Sequence, residues 1–214
     1  MPMIQPKDRE YLQKEFAAKL VNPVKLVMVT QEFECDFCKE TREIVQELAE
    51  LSDKITAEVY DFVADQDKIA PYNIARIPAI AIIGEKDYGI RFYGIPSGYE
   101  FSSLVESILM VSRGESGLKD ATKKALAELT QDLHIQVFVT PTCPYCPRAV
   151  LLAFQMALES DRVRAEMVEA MEFPDLAIKY QVQGVPRSVI NETIALEGAY
   201  PEPLFVQEVW KQLK

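Results

Sequence analysis

Hydrophobic positions along the chain follow two different periods, and together these predict eight strands and eight helices. Short apolar runs rich in β-branched residues are too brief for helices and predict buried strands, for example KLVMVT and IQVFVT. Longer segments repeat apolar residues every three or four positions and predict amphipathic helices, for example PKDREYLQKEFAAKL and GLKDATKKALAELT. The predicted order is helix, strand, helix, strand, helix, strand, strand, helix, and it occurs twice.

The order occurs twice because the sequence repeats at an offset of 108 residues. With this offset, Cys35 and Cys38 align with Cys143 and Cys146. In both halves a proline follows the first cysteine of the pair by 43 residues. Agreement at both places predicts a tandem duplication.

Each half is expected to form one α/β unit, and the two units span residues 1–115 and 116–214. A strand–helix–strand segment favours parallel pairing through a crossover, whereas two consecutive strands with a short turn favour a hairpin. Each unit should therefore be a mixed four-stranded sheet covered by helices. The small polar stretch SRGESG, at Ser112–Gly117, is suited to the boundary between them.

Composition and charge narrow the classes of partner. The formal net charge of −10 argues against nucleic acid or an anionic membrane surface, because both need a basic face. The sequence contains no run of 18 apolar residues to span a membrane, and its first residues lack the apolar region of a signal peptide. We therefore expect a cytoplasmic protein, and the low asparagine content slightly favours a thermophile.

Each cysteine pair is expected where a strand ends and a helix begins, a place where reactive groups collect in such sheets. The thiolate is the nucleophile in disulfide exchange, and the amino terminus of a helix stabilises it through unpaired N–H groups and partial positive charge. With the first cysteine at the N-cap and Pro144 at the first helical position, Cys35 and Cys143 should attack a substrate disulfide. Cys38 and Cys146 should then resolve the mixed disulfide.

Two other uses of a cysteine pair compete with this one. A structural disulfide is unusual where cytosolic thiols are kept reduced, although hyperthermophiles are an exception. A zinc ribbon usually separates its two cysteine pairs by about 15–20 residues, whereas Cys38 and Cys143 are 105 residues apart. Each pair could bind a metal only by borrowing His134 or a carboxylate, or by dimerising, so no metal site is expected. His134, at the start of a predicted strand, is expected to be structural.

These residues resemble the thioredoxin superfamily. The resemblance rests on a strand followed by CxxC at a helix start, and on Ile77-Pro78 or Val185-Pro186 before the next strand. The CPYC motif is similar to that of glutaredoxins. Two such units in tandem resemble the protein disulfide oxidoreductases of hyperthermophilic archaea and bacteria. The resemblance implies a thioredoxin fold in each unit and an activity that reduces, oxidises or isomerises protein disulfides.

The resemblance also implies that both prolines are cis, and that the residue before each proline pairs its backbone with an extended substrate segment. The alternative is a proline that only starts a strand. The aromatic residue inside each CxxC is expected to be exposed to substrate. The predicted substrate-binding residues are Ile77, Pro78, Val185, Pro186, Phe37 and Tyr145.

The chain departs from the thioredoxin pattern at two strand positions. Thioredoxins carry a buried aspartate on the strand before CxxC, but neither KLVMVT nor IQVFVT contains a carboxylate. They also carry a lysine on the next strand, where Glu58 and Glu166 stand in this chain. A carboxylate partly buried beneath the dithiol would have a raised pKa and would accept the proton of the resolving thiol. A solvated strand residue is the alternative.

Partners are predicted mainly from the resemblance. The glycine pair and acidic residue with which glutaredoxins hold glutathione have no match in YGIPSGYE or EGAYPEP. No cofactor is expected. The resemblance implies disulfide-containing proteins as substrates and a thioredoxin reductase-like flavoprotein as the electron source. Two alternatives stay open: a dedicated electron carrier for one partner such as a peroxiredoxin, and a non-enzymatic chaperone or binding module.

The two cysteine pairs have different charged neighbours. Negative charge nearby disfavours a thiolate, and the first pair has four acidic neighbours against one lysine. We therefore expect a higher thiol pKa and slower attack at Cys35 than at Cys143, so that the second site dominates activity. The neighbours of the first pair are Glu32, Glu34, Asp36, Glu40 and Lys39.

Overall fold

The computed structural model describes residues 2–213 and confirms the predicted order of elements in both halves. The helices are α1 (Pro6–Lys19), α2 (Cys38–Ala49), α3 (Gln66–Ile69), α4 (Glu100–Arg113), α5 (Asp120–Ala127), α6 (Cys146–Glu159), α7 (Pro174–Lys179) and α8 (Glu202–Gln212). The strands are β1 (Val24–Thr30), β2 (Ile55–Asp61), β3 (Ala79–Ile83), β4 (Asp87–Tyr93), β5 (Leu133–Val139), β6 (Val163–Glu169), β7 (Arg187–Ile190) and β8 (Ile194–Glu197). A 3₁₀ turn, Ala70–Tyr72, directly follows α3. Within the described residues, no helix is long and apolar enough to cross a membrane.

All of these strands belong to one sheet, in the order β2-β1-β3-β4-β6-β5-β7-β8. In the first half, β1 pairs in parallel with β2 and antiparallel with β3, and β3 pairs antiparallel with β4. The second half repeats this pattern: β5 is parallel to β6 and antiparallel to β7, and β7 is antiparallel to β8. The predicted mixed four-stranded sheet of each half is therefore confirmed.

The two four-stranded sheets are joined edge to edge, which the sequence did not predict. Residues 90–93 of β4 pair in parallel with residues 165–168 of β6. Strand directions followed across the sheet show that β1 and β5 run the same way. Because each cysteine pair follows one of these two strands, both pairs lie on the same side of the sheet, at the carboxyl ends of β1 and β5.

Helices cover both faces of the sheet and divide the core into two layers. Successive residues of a strand point to opposite faces. In β1, for example, Leu26 belongs to the layer that includes α2, α4 and α6, and Val27 belongs to the opposite layer. The first layer runs through both halves. At its centre Phe92 of β4 packs edge-on against Phe154 of α6, with ring centroids 5.1 Å apart.

Two candidate redox sites

Each cysteine pair lies in the segment between a strand and the following helix and forms a disulfide. Cys35 and Cys38 lie between β1 and the first turn of α2. Cys143 and Cys146 lie at the equivalent place between β5 and α6. The Cα atoms within each pair are 5.5 Å apart, an ordinary separation for a disulfide. The backbone therefore holds both pairs of sulfurs close enough to form and break this bond.

The helices begin at the second cysteine of each pair, so the predicted N-cap position of the first cysteine is wrong. Phe37 and Tyr145 are the N-cap residues of α2 and α6. In α6 the cause is Pro147, which is accommodated in the first turn because no helical hydrogen bond there needs its missing N–H. A helix beginning at Pro144 would need that same N–H for its first hydrogen bond. Pro144 consequently lies before the helix and not at its first position.

Within each pair, the second cysteine is the more buried. Cys38 and Cys146 are 1% and 0% exposed, whereas Cys143 is 8% exposed and Cys35 is half-buried. A substrate sulfur therefore reaches the first cysteine of a pair more readily than the second. This difference supports the predicted division into attacking and resolving cysteines.

A cis proline accompanies each pair, as the resemblance implied. The peptide bonds before Pro78 and Pro186 are both cis, and both prolines are buried. The carbonyl oxygen of Pro78 accepts a hydrogen bond from the backbone N–H of Gly94 at 2.9 Å. In the second half, Sγ of Cys143 lies 3.7 Å from the carbonyl oxygen of Val185. The backbone that precedes the cis proline is thus a direct neighbour of the reactive sulfur.

The other predicted substrate-contacting side chains surround the dithiols. Phe37 and Tyr145 are 41% and 70% exposed, and Ile77 and Val185 are half-buried. Beside the first pair is a groove of about 320 Å³, here called the first-dithiol groove. Its lining residues are Glu34, Cys35, Asp36, Phe37, Ile77, Pro78, Met171, Glu172 and Pro174.

Glu58 does not lie beneath the first dithiol. In the sheet it pairs with Val27, whose side chain belongs to the core layer on the face opposite α2. The Glu58 side chain is 40% exposed, lies 3.2 Å from Nζ of Lys25 and accepts a hydrogen bond from the Tyr60 hydroxyl at 2.9 Å. These contacts fit a partly solvated strand residue and give no support to the predicted proton-accepting role.

Glu166 also lies on the sheet face that α6 does not cover. Its neighbours in the strand, Ala165 and Met167, belong to the core layer that includes α6, so Glu166 and its strand partner Gln136 point to the opposite face. It is 2% exposed, and it accepts hydrogen bonds from Gln136 at 3.1 Å and from Nε of Arg164 at 2.9 Å. Nε2 of His134 lies 2.9 Å from the same carboxylate. Burial alone would raise the pKa of Glu166, but the bonds and charges of His134 and Arg164 outweigh it and hold the pKa low. The carboxylate is a buried ion-pair centre away from Cys146, so the predicted proton transfer finds no support here.

Glu172 is not predictable from sequence patterns as a site residue, because it belongs to the second half but lines the groove of the first dithiol. Its carboxylate accepts a hydrogen bond from the backbone N–H of Ile95 at 2.6 Å. Burial, with the negative charges of Glu169 and Asp36, raises the pKa of Glu172 to about 7. Only the edge-to-edge join of the two sheets, which local sequence patterns do not reveal, brings this residue to the first site.

A second carboxylate that the sequence did not predict near a site is that of Glu100, the first residue of α4. Glu100 is 1% exposed, and one of its carboxylate oxygens accepts a hydrogen bond from the hydroxyl of Ser103 at 2.6 Å. Burial raises the pKa of Glu100 to about 7. The preceding residue, Tyr99, donates its backbone N–H to the carbonyl oxygen of Pro141 at 3.0 Å, so the start of α4 touches the loop that leads to Cys143. An acidic residue in the first turn of a helix is usually solvated, so the sequence offers no signal of this burial.

A larger cavity of about 690 Å³ lies at the amino-terminal ends of β4, β5 and β6, opposite the strand ends that carry the dithiols. Its basic residues are each paired with a carboxylate, in the pairs Lys86–Asp161, Arg91–Asp87, Arg162–Asp132 and Arg164–Glu166. Among residues 2–213, no group of three or more histidine, cysteine, aspartate or glutamate side chains could hold a metal ion.

The sequence profile described as Thioredoxin domain matches the chain twice, over residues 25–106 and 133–211. Among solved structures, a protein disulfide oxidoreductase from Aeropyrum pernix is 36% identical, with a TM-score of 0.90 over 96% of this chain and 92% of that one. The NTD_N/C domain of alkylhydroperoxide reductase AhpF from Enterococcus faecalis is 28% identical, with a TM-score of 0.86 over 95% and 98% of the two chains.

Peroxide reductases are also found among relatives of known sequence. The AhpF-type component of the alkyl hydroperoxide reductase of Escherichia coli is 27% identical over 181 residues, which is 83% of this chain. An NADH dehydrogenase of Bacillus subtilis is 25% identical over 166 residues. The matched segments are 32% and 30% of these relatives, so the chain spans about a third of their length.

Proposed function

The chain belongs to the thioredoxin domain family, and from this membership we propose that it is a dithiol–disulfide oxidoreductase that acts on protein disulfides. One observation carries the proposal: each half holds a CxxC pair with an outer sulfur near the surface and a cis proline in its own thioredoxin unit. A purely structural disulfide needs neither a sulfur near the surface nor an adjacent cis proline. We assign one site to each unit, residues 1–115 and 116–214.

The proposed reductive cycle begins with attack by the first cysteine of a pair. The thiolate of Cys35 or Cys143 attacks one sulfur of the substrate disulfide and displaces the other as a thiolate. Cys38 or Cys146 then loses its proton and displaces the substrate from the mixed disulfide. The substrate gains two electrons and leaves as two thiols, and the cysteine pair becomes a disulfide. Oxidation of a substrate is the same sequence in reverse.

We further propose that the segments around the prolines hold the substrate. Backbone groups of Ile77 and Val185, which precede the cis prolines, would pair with an extended substrate strand. Tyr145, exposed at the rim of the second pair, offers apolar area to the same substrate, and Phe37 does so at the first. No acid–base role is proposed for Glu58 or Glu166, because both lie on the face of the sheet opposite α2 and α6.

A dedicated electron carrier is a second candidate function, and the similarity to the AhpF-type component of alkyl hydroperoxide reductases favours it. In this role the chain would pass electrons from a thioredoxin reductase-like flavoprotein to one disulfide-containing protein. The chemistry at each cysteine pair would be unchanged, and only the range of accepted proteins would be narrower. We place both functions in the cytoplasm.

The test is insulin reduction with dithiothreitol, comparing the wild type with Cys35→Ser/Cys38→Ser and Cys143→Ser/Cys146→Ser. We expect loss of the second pair to lower turnover by at least tenfold and loss of the first to lower it only a few fold, since nearby acidic residues disfavour the Cys35 thiolate. A variant without any of the four cysteines should be inactive. Full activity in that variant would point to a chaperone or binding module and would overturn the proposal.

A further inference from the structure

The first-dithiol groove is built by both halves of the chain. One wall is the CxxC loop with the cis-proline segment, and the other is the segment that follows β6. The second wall contains Met171, Glu172 and Pro174. Met171 is 78% exposed and so offers an apolar surface beside the reactive cysteine. Residues of the second half therefore lie beside Cys35, in the groove where a substrate polypeptide would bind.

The groove is acidic. Its nine lining residues include three carboxylates, those of Glu34, Asp36 and Glu172, and no basic side chain. Arg76 precedes the cis-proline segment of this wall, but its guanidinium is paired with Asp175 at 2.7 Å. The loop of the second dithiol, residues 141–148, contains one arginine and no carboxylate. The first site is thus strongly acidic, whereas the loop of the second carries a single positive charge.

We infer that the second half completes the substrate groove of the first dithiol, and that Glu172 makes this site selective for disulfides flanked by basic residues. The inference rests on the proposed disulfide exchange and names the substrate class that one of its two sites takes. Complementary charge raises the rate of encounter and suppresses binding of partners with the same sign of charge. A substrate with lysine or arginine next to its disulfide is favoured at Cys35, whereas Cys143 shows no such preference.

Packing fixes the position of the Glu172 carboxylate. It accepts the hydrogen bond from Ile95 N–H, and it occupies space left open by the missing side chain of Gly94. A Cβ atom on Gly94 would lie 2.7 Å from Oε1 of Glu172, so any other residue there would displace the carboxylate. The charged groups that act on it are Glu169 at the end of β6 and Asp36 in the CxxC loop. Glu172 is thus held at the groove wall and does not swing into solvent.

The protonation of Glu172 makes the selectivity depend on pH. Its pKa is raised to about 7, so the carboxyl is mostly neutral below that pH and mostly charged above it. Preference for a basic substrate therefore increases as pH rises through 7. Ionisation of Cys35 changes the rate for every substrate equally, so a ratio of two rates isolates the effect of Glu172.

The experiment uses the reduced Cys143→Ser/Cys146→Ser variant, in which only the first dithiol reacts. The probes are two pentapeptides with a central cysteine, flanked by two lysines or by two glutamates, each as its mixed disulfide with thionitrobenzoate. The Cys35 thiolate attacks the peptide sulfur and releases coloured thionitrobenzoate as a thiolate, and Cys38 then releases the peptide as a thiol. Stopped-flow absorbance gives the second-order rate constant for each peptide.

At low ionic strength and pH 8 we expect the lysine peptide to react about tenfold faster, and Glu172→Gln to reduce this ratio about twofold. Glutamine keeps an oxygen to accept the Ile95 hydrogen bond, so the groove should keep its shape. The control is Glu115→Gln, which removes one exposed carboxylate between the two units and should leave the ratio unchanged. The matched variant with only the second dithiol should show a ratio near one.

Equal ratios for the Glu172→Gln and Glu115→Gln variants would overturn the inference, as would equal rates for the two peptides at the first dithiol. Either result leaves disulfide exchange intact, because thionitrobenzoate is still released. Failure of both dithiols to release it from either peptide would instead overturn the proposed function. The outcomes of the two proposals are therefore distinguishable in one set of measurements.

Discussion

At the residue scale, a buried acid lies next to Tyr99, the residue that bonds the loop of the second dithiol. Glu100 is almost fully enclosed, and its second carboxylate oxygen has no hydrogen-bond partner among the described residues. An ionised carboxylate in such a place is unfavourable, which is why its pKa is raised to about 7. The folded protein therefore holds a proton on Glu100 at pH values where the unfolded chain has lost it.

This predicts how Glu100→Gln changes stability with pH. The Glu100 contribution to the free energy of unfolding is unimpaired below pH 4.5 and falls as pH rises from 4.5 to about 7. At pH 8, Glu100→Gln should therefore stabilise the protein by about 3 kcal/mol, the equivalent of this pKa shift. At pH 4 the gain should vanish. Urea denaturation of both proteins at the two pH values measures it, and an equal difference at pH 4 and pH 8 would contradict it.

Single residues also mark how far the sequence could be interpreted. The two cysteine pairs and the two prolines are identifiable because spacing along the chain survives folding unchanged. The face of the sheet on which Glu166 lies is not identifiable from the sequence, because a shift of one residue along a strand moves each side chain to the other face. The register in which Gln136 pairs with Glu166 decides that face, and register depends on the folded sheet.

At the element scale, the contact between the start of α4 and the loop before α6 positions the second dithiol. Gly98 adopts a φ of +59° and packs directly on the backbone of Pro141, two residues before Cys143. A side chain at this position would strain the backbone and collide with the Pro141 carbonyl oxygen. The loop of the second dithiol would then have to shift. The loop of the first dithiol makes no such contact with Gly98.

Gly98→Ala should therefore destabilise the protein by about 1–3 kcal/mol and slow disulfide exchange selectively at the second dithiol. Gly114→Ala is the control, because Gly114 has a similar φ of +70° but a Cβ atom added there would meet no heavy atom within 4 Å. Exchange rates at each dithiol, measured in variants that retain only one pair, give the comparison. Equal slowing at both dithiols would show that the contact does not position the second site.

The predicted strands KLVMVT and IQVFVT lie within two residues of β1 and β5, but the helix predicted over GLKDATKKALAELT is shorter at both ends, and the helices that follow the dithiols begin later than predicted. Both begin at the second cysteine: in α6 the first turn must accommodate Pro147, and α2 begins at the aligned position without a proline. A periodic pattern locates a helix but not its first residue. The N–H groups of the first turn make no hydrogen bonds within the helix, so the hydrophobic pattern does not mark where that turn begins. The first cysteine of each pair consequently lies outside the helix, three residues before its first residue.

At the scale of the whole molecule, the two halves share one core layer and one sheet. The contact between Phe92 and Phe154 and the pairing of β4 with β6 both join the halves. Neither half can unfold without exposing apolar surface of the other. Repetition in the sequence predicted two units, but it could not show this joint, since pairing between remote strand edges leaves no local pattern.

We therefore expect a single cooperative unfolding transition in differential scanning calorimetry of the oxidised protein. The calorimetric enthalpy should equal the van't Hoff enthalpy, as for an all-or-none transition. A chain of two independent thioredoxin units would instead give a van't Hoff enthalpy about half as large. Two resolved transitions, or a van't Hoff enthalpy near half the calorimetric enthalpy, would contradict a shared core.

The join between β4 and β6 also has a consequence for solubility. A strand at the edge of a sheet carries unpaired N–H and C=O groups that can recruit strands from other molecules and start aggregation. In the intact chain, β4 and β6 satisfy each other, and the sheet ends instead at β2 and β8. Either half expressed by itself would expose β4 or β6 as an aggregation-prone edge strand, which the duplicated chain buries in the middle of its sheet.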